Sequence, residues 1–167
     1  ASDQAQLEGF TMPVVPQEVQ ERLGRTYPSF FVTRNPIDLT GSGKNEDYYT
    51  ALKEALPHYD AAVVIVLMGA TTVTEEATGM IARACHEAKK PVTCCILQGL
   101  GYTQEAMFSL VKLGIPVYPS PERAVRATRS ATCAIRSGSA TDEPPYFWTT
   151  IGAALMGATL HRAQPAQ

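Results

Sequence analysis

The chain has 167 residues, 45% of them hydrophobic, and carries 14 Lys and Arg against 16 Asp and Glu for a formal net charge of −2. That is enough apolar material for one substantial core, so one folded domain is expected and a disordered chain is excluded. Scattered basic residues argue against a nucleic-acid surface, and the longest apolar stretches, residues 61–70 and 151–160, are half the length needed to span a membrane.

Residues 1–13 read as the ragged end of a helix and a loop, with Gly9 as the stop and Pro13 beyond it. The polar start lacks the apolar segment of a signal peptide, which points to the cytoplasm. Residues 16–23 make a short helix, opened by Pro16 and closed by Gly24. Phe30, Phe31 and Val32 suit a brief strand near residues 30–33. The following NPIDLTG, residues 35–41, is broken by Pro36 and sets the carboxylate of Asp38 and the hydroxyl of Thr40 in a loop. Asn45 is placed to cap the next helix, whose Tyr48, Leu52, Ala55 and Leu56 face the core until Pro57.

Residues 61–90, AAVVIVLMGATTVTEEATGMIARACHEAKK, are the centre of the chain. An unbroken apolar run over residues 61–68 suits a parallel strand covered on both faces. Thr72 and Glu75 have capping-box spacing, and Val73, Ala77, Met80, Ile81, Ala84 and Ala88 fall on one face of the helix that follows. Between strand and helix sits Gly69-Ala70-Thr71-Thr72, at the edge where open α/β sheets bind ligands and where first-turn amides favour an anion.

Residues 91–97 repeat the strand signal, and the loop from Gln98 to Thr103, with Gly99 and Gly101, repeats the polar connection to a helix faced by Ala106, Met107, Leu110 and Val111. Gly114 ends that helix, residues 115–118 form a last short strand, and Ser120-Pro121-Glu122 opens another helix. Strands alternating with helices predict a parallel sheet with right-handed crossovers. Residues 130–145 turn rich in Ser, Thr, Gly and Pro and read as a linker; residues 146–167 form an apolar tail of undetermined structure. Cys85, Cys94, Cys95 and Cys133 lack CxxC spacing and read as reduced, buried thiols. His86 lies on a polar helix side beside Lys89 and Lys90, and no metal-ligand spacing is present.

The order of NPIDLTG, VVIVLMGATT, KKPVTCCILQG and GIPVYPSPERAVRA resembles the NDP-forming acyl-CoA synthetases, relatives of succinyl-CoA synthetase that include the ADP-forming acetate-CoA ligases. The resemblance spans residues 5–127 and rests on the motifs jointly. It implies a three-layer flavodoxin-like ligase domain over residues 1–129, with a mainly parallel sheet. It further implies a reaction in which acyl-CoA, phosphate and NDP interconvert with acid, CoA and NTP through acyl-phosphate and phosphohistidine. Asn35, Asp38, Thr40, Gly69, Thr71, Thr72, Gly99 and Gly101 are then the candidates for the phosphate and acid site. The family uses CoA, ADP or ATP, and Mg, none of which this chain is expected to bind alone.

Two departures shape the expectation. The family's first strand and its Gly-rich loop are missing from the match, and His58, His86 and His161 lie outside any phosphohistidine motif. The chain is therefore expected to need CoA-binding, phosphohistidine and ATP-grasp partners, and to be inactive by itself. An uncovered sheet edge also predicts partnership: the tail around Phe147, Trp148, Ile151 and Leu155 folds back, a second copy pairs, or another polypeptide supplies a strand, with self-association favoured. The competing reading is a flavodoxin-like nucleotide- or anion-binding module without catalysis. Locally, Thr72 is also a plain N-cap candidate, Asp38 an Asx-turn acid, and the two glycines simple turn formers.

Overall fold

The computed structural model describes residues 1–68, 72–97, 103–136 and 158–162. In chain order the elements are α1 (Ser2–Leu7), β1 (Phe10–Thr11), α2 (Gln17–Thr26), α3 (Asn45–Ala55), β2 (Ala61–Leu67), α4 (Glu76–Ala88), β3 (Val92–Leu97), α5 (Thr103–Lys112), β4 (Val117–Tyr118), α6 (Pro121–Arg136) and β5 (Ala158–Arg162). The sheet order is β1-β5-β2-β3-β4. The β2, β3 and β4 strands are parallel, while β5 runs antiparallel to both of its neighbours.

Helices cover both faces of the parallel strands, as an unbroken β-branched run requires. The first six residues of β2 are all buried, none more than 4% exposed. Alternate side chains go opposite ways. Ala62, Val64 and Val66 pack with the core residues of α2, α3, α4 and α5, whereas Val63 joins Ala5, Phe10, Ala124 and Val125 under α1 and α6. Each such Val or Ile contributes about 1.5–3 kcal/mol on burial. The one polar residue inside β3, Thr93, meets Thr128 of α6 at 2.8 Å, and both hydroxyls reach the Ala124 carbonyl. This is the α/β fold of three layers that the pattern of strands and helices implies.

The cores of the helices agree with the sequence reading at Leu52, Ile81 and Leu110, each buried, but Met80 is only partly covered and Thr78 is buried in its place. Four expectations change. Residues 30–33 make no strand of the sheet; Val32 and Asp38 only bridge each other, a local turn between Pro28 and Pro36. The helix expected to close at Gly24 continues to Thr26, because nothing there forces a left-handed residue and the chain leaves through extended Tyr27 before Pro28. The stretch expected as linker from residue 130 is helical to Arg136, since Ser130 and Thr132 turn their hydroxyls back to the Arg126 and Thr128 carbonyls. Finally, β5 lies along β2 at Ala61, Ala62 and Val63, so the chain's own C-terminal part fills that length of the edge on which self-association was expected. Phe147, Trp148, Ile151 and Leu155 lie outside the described residues.

The cysteines form no disulfide among the described residues, and burial is the main cause that pushes the Cys85 thiol up to about 12 and Cys94 well above its ordinary value. Neither is a nucleophile at neutral pH. Among the described residues, no helix is long and apolar enough to cross a membrane.

Two outcomes test this packing. Ile81 is fully buried between α4 and the sheet, so Ile81→Ala is expected to lose about 2–5 kcal/mol in urea unfolding; a loss below about 1 kcal/mol would contradict the core described. At the surface, α1 is tied to α6 by Glu8, which meets Arg129 at 3.0 Å and Arg126 at 3.4 Å. The hydrogen bond from Arg129 is the main cause holding the Glu8 carboxyl below its ordinary 4.5. A depressed carboxylate stabilises the fold above its unfolded pKa and loses that contribution as pH falls through the folded one. Protection of the Ala5 amide against hydrogen exchange should therefore fall as the solution is acidified below 4.5, and Glu8→Gln should remove that dependence.

Candidate functional site

Register makes the site. Leu67 of β2 lies opposite Leu97 of β3, so the two strand-to-helix connections leave the sheet side by side at its carboxyl edge. Of the candidate residues in these connections, Gly69, Thr71, Gly99 and Gly101 lie outside the described residues, and Thr72 lies within them.

The loop carrying Asp38 and Thr40 comes to the same edge. Asp38 closes an Asx-turn, its Oδ1 accepting the Thr40 amide at 2.7 Å, and Thr40 sits in the left-handed region at φ 52. The loop then passes Gly43, whose carbonyl accepts the Thr72 hydroxyl at 2.8 Å. Thr72 thus spends its hydrogen on a neighbouring loop and does not cap α4, which starts at Glu76 with no side-chain cap. Asn35 is held elsewhere, donating from Nδ2 to the Pro13 carbonyl at 3.1 Å. The structure therefore joins the loop of Asp38 and Thr40 to Thr72 through the Gly43 carbonyl and fastens Asn35 to the chain that precedes α2.

Asn45 also differs from its expected role. It is the first residue of α3, not its cap; the Lys44 amide is held by the Asp47 carboxylate at 2.8 Å. The Asn45 side chain instead crosses to the start of α4, where Oδ1 accepts the Thr74 amide at 3.0 Å and Nδ2 donates to Thr74 Oγ1 at 2.8 Å. No local sequence pattern signals a bond between residues 29 positions apart.

The electrostatics of the α4 start are mixed. Its positive dipole end favours an anion, yet Glu75 and Glu76 stand there, and Glu75 accepts a hydrogen bond from Ser109 of α5. The first amides are already engaged: Thr74 with Asn45, Ala77 with the Thr74 carbonyl, and Thr78 with the Glu75 carbonyl. Nearby Tyr48 is buried, and desolvation, aided by the Asp47 and Asp38 carboxylates, pushes its phenol up to about 12, so it holds its proton at neutral pH. His58 and His86 are exposed. Among the described residues, no group of three His, Cys, Asp or Glu side chains is placed to hold a metal ion. The described side chains hold loops in position; they assemble no charge-transfer pair.

A parallel three-stranded core with helices on both faces defines a flavodoxin-like domain. No family model matches the chain. The α subunit of ADP-forming acetate–CoA ligase I from Pyrococcus furiosus is 36% identical over 104 residues, 60% of this chain and 22% of that subunit. The α subunit of ADP-forming acetate–CoA ligase II from the same organism is 31% identical over 128 residues, 72% of this chain and 28% of the subunit. Among solved structures, one from Pyrococcus horikoshii OT3 superposes with a TM-score of 0.70 at 28% identity, over 82% of this chain and 33% of the other. The dinucleotide-forming acetyl-coenzyme A synthetase 1 of Candidatus Korarchaeum cryptofilum gives 0.68 at 28% identity, over 83% and 32%, both as the apo form and in its complex with phosphate and ADP. The similarity is thus to part of the NDP-forming acyl-CoA synthetases. The chain spans about a quarter of the length of the curated relatives it matches.

One substitution tests the geometry of the loop. A Cβ at Gly43 would stand 2.8 Å from Leu39 Cβ and 3.3 Å from the Leu39 carbonyl oxygen. Gly43→Ala is thus expected to cost about 1–3 kcal/mol and to shift the amide signals of Thr40 and Thr72. An unchanged spectrum with unchanged stability would contradict the close approach.

Proposed function

We propose that the chain is the flavodoxin-like part of an NDP-forming acid-CoA ligase, supplying loops to the site where phosphate and the carboxylic acid are handled. The reading rests on one observation above the rest: the identity to the acetate–CoA ligase α subunits extends over 104 and 128 residues, on a fold whose two parallel strands end side by side. The reaction in view converts acyl-CoA, phosphate and NDP to acid, CoA and NTP. It passes through an acyl-phosphate, formed as phosphate displaces CoA, and a phosphohistidine that carries the phosphoryl group to NDP.

Within that scheme this chain binds and orients. Gly69, Thr71, Gly99 and Gly101 are the candidates to approach the phosphate or carboxylate oxygens through small side chains and backbone amides. Asp38, Thr40 and Thr72 hold the neighbouring loops, on the bonds they make to each other and to Gly43. Asn35 fastens the start of the NPIDLTG loop to Pro13. The phosphohistidine, the CoA site, the nucleotide site and its Mg belong on partner domains or subunits, and no step is assigned to a metal on this chain.

The test is a titration with inorganic phosphate followed by backbone amide NMR. Amides flanking both connections, at Thr72 and Thr103, are expected to shift together along one binding curve. If neither moves at millimolar phosphate, the anion-site assignment is wrong, and an anion-free packing role is left.

A further inference from the structure

Asn45 is a buried polar residue, 9% exposed, whose amide is matched on both sides. Its Oδ1 faces an N–H donor, the Thr74 amide at 3.0 Å, and its Nδ2 faces two acceptors, Thr74 Oγ1 at 2.8 Å and Glu76 Oε2 at 3.2 Å. Turning the amide over would set oxygen against carboxylate and nitrogen against N–H, so only one orientation satisfies the set. Two residues earlier along the chain, the Gly43 carbonyl takes the Thr72 hydroxyl. The Gly43 bond runs from the loop that leads into α3, and the Asn45 bonds from the first residue of α3, to the stretch around the start of α4, and nothing in the helical bonding of either element requires them.

The geometry points to Asn45 as a positioning residue that, beside the Thr72–Gly43 bond, holds residues 38–43 and residues 72–76 as one mechanical unit, so that an anion bound at the carboxyl edge of the sheet is registered in both. The inference rests on the anion-site reading above, but the clasp has its own observable. Cutting it frees the Thr74 amide, a donor that is otherwise engaged, whatever binds nearby. A residue that only plugs the core would lower stability without separating the two loops.

The experiment combines phosphate titration and amide exchange on the chain and three variants. In the unaltered chain, inorganic phosphate should move amides of residues 38–43 along the same curve as residues 72–76. In Asn45→Ala, and to a smaller degree in the milder Thr74→Ala, residues 38–43 should follow phosphate with smaller shifts, the Thr72–Gly43 bond being left in place. Exchange at the Thr74 amide should rise by about tenfold in Asn45→Ala, as expected for loss of one partly buried hydrogen bond. Thr128→Val, which breaks the buried hydroxyl pair under the other face of the sheet, should lower the melting temperature and leave both readings unchanged. The inference is overturned if residues 38–43 follow phosphate undiminished in Asn45→Ala, or if Thr128→Val weakens their response equally. Should phosphate move no amide of the unaltered chain, the anion reading falls by itself. Exchange then decides the clasp: raised exchange across residues 38–43 in Asn45→Ala upholds it, and unchanged exchange overturns it.

Discussion

The parallel pairing of β2 with β3 is the constraint on which the remaining structure depends. Six consecutive pairs, from Ala62 with Val92 to Leu67 with Leu97, bring two strands to the same level before either turns into its helix. A slip of one residue in β2 would turn Val63 and Ile65 onto the face now filled by Ala62, Val64 and Val66, and a slip of one residue in β3 would bring Thr93 into the core under α4. The hydroxyl of Thr93 has its partners only on the α6 side, at Thr128 and Ala124. Burial on both faces and this one polar match together select a single register, and the register sets the distance between the two connections.

From that edge the site is built by bonds between loops. Asp38 shapes its own turn, Thr72 reaches Gly43, Asn45 reaches Thr74, and Ser109 reaches Glu75. The starts of α3 and α4 and the second half of α5 are thereby tied together. Each bond is worth about 0.5–1.5 kcal/mol by itself. Their value to a binding site lies in removing loop freedom before a ligand arrives, since ordering a loop on binding is paid out of affinity. Two carboxylates at the start of α4 oppose an anion there, which shifts the expected contact toward the small residues of the two connections and toward basic groups on a partner.

The parts of the fold legible in the sequence were those governed by burial. The β-branched run at residues 61–67 and the matching run at 92–97 can only be covered strands, and Leu52, Ile81 and Leu110 sit at helical spacing facing them. What was not legible was decided by polar side chains with more than one available partner. Thr72 and Glu75 have the spacing of a capping box, yet the Thr72 hydroxyl finds the Gly43 carbonyl and Glu75 finds Ser109. Asn45 looks like a helix cap and serves another helix, and Ser130 and Thr132 look like linker residues and bond within α6. The Asx-turn at Asp38 was one of two readings of that residue, and the local bond to Thr40 is the one formed. The family resemblance carried by the four motifs agrees with the identity to the acetate–CoA ligase subunits, while the roles of the individual site residues rest on the proposal above.

The central claim is that this chain is one necessary part of a ligase and not a ligase by itself. The most direct measurement is NTP formation from acyl-CoA, phosphate and NDP, made on the isolated chain, on CoA-binding, phosphohistidine and ATP-grasp domains without it, and on the mixture. The account predicts turnover only when the chain and those domains are present together. Turnover by the chain alone, or equal turnover by the other domains in its absence, would contradict it.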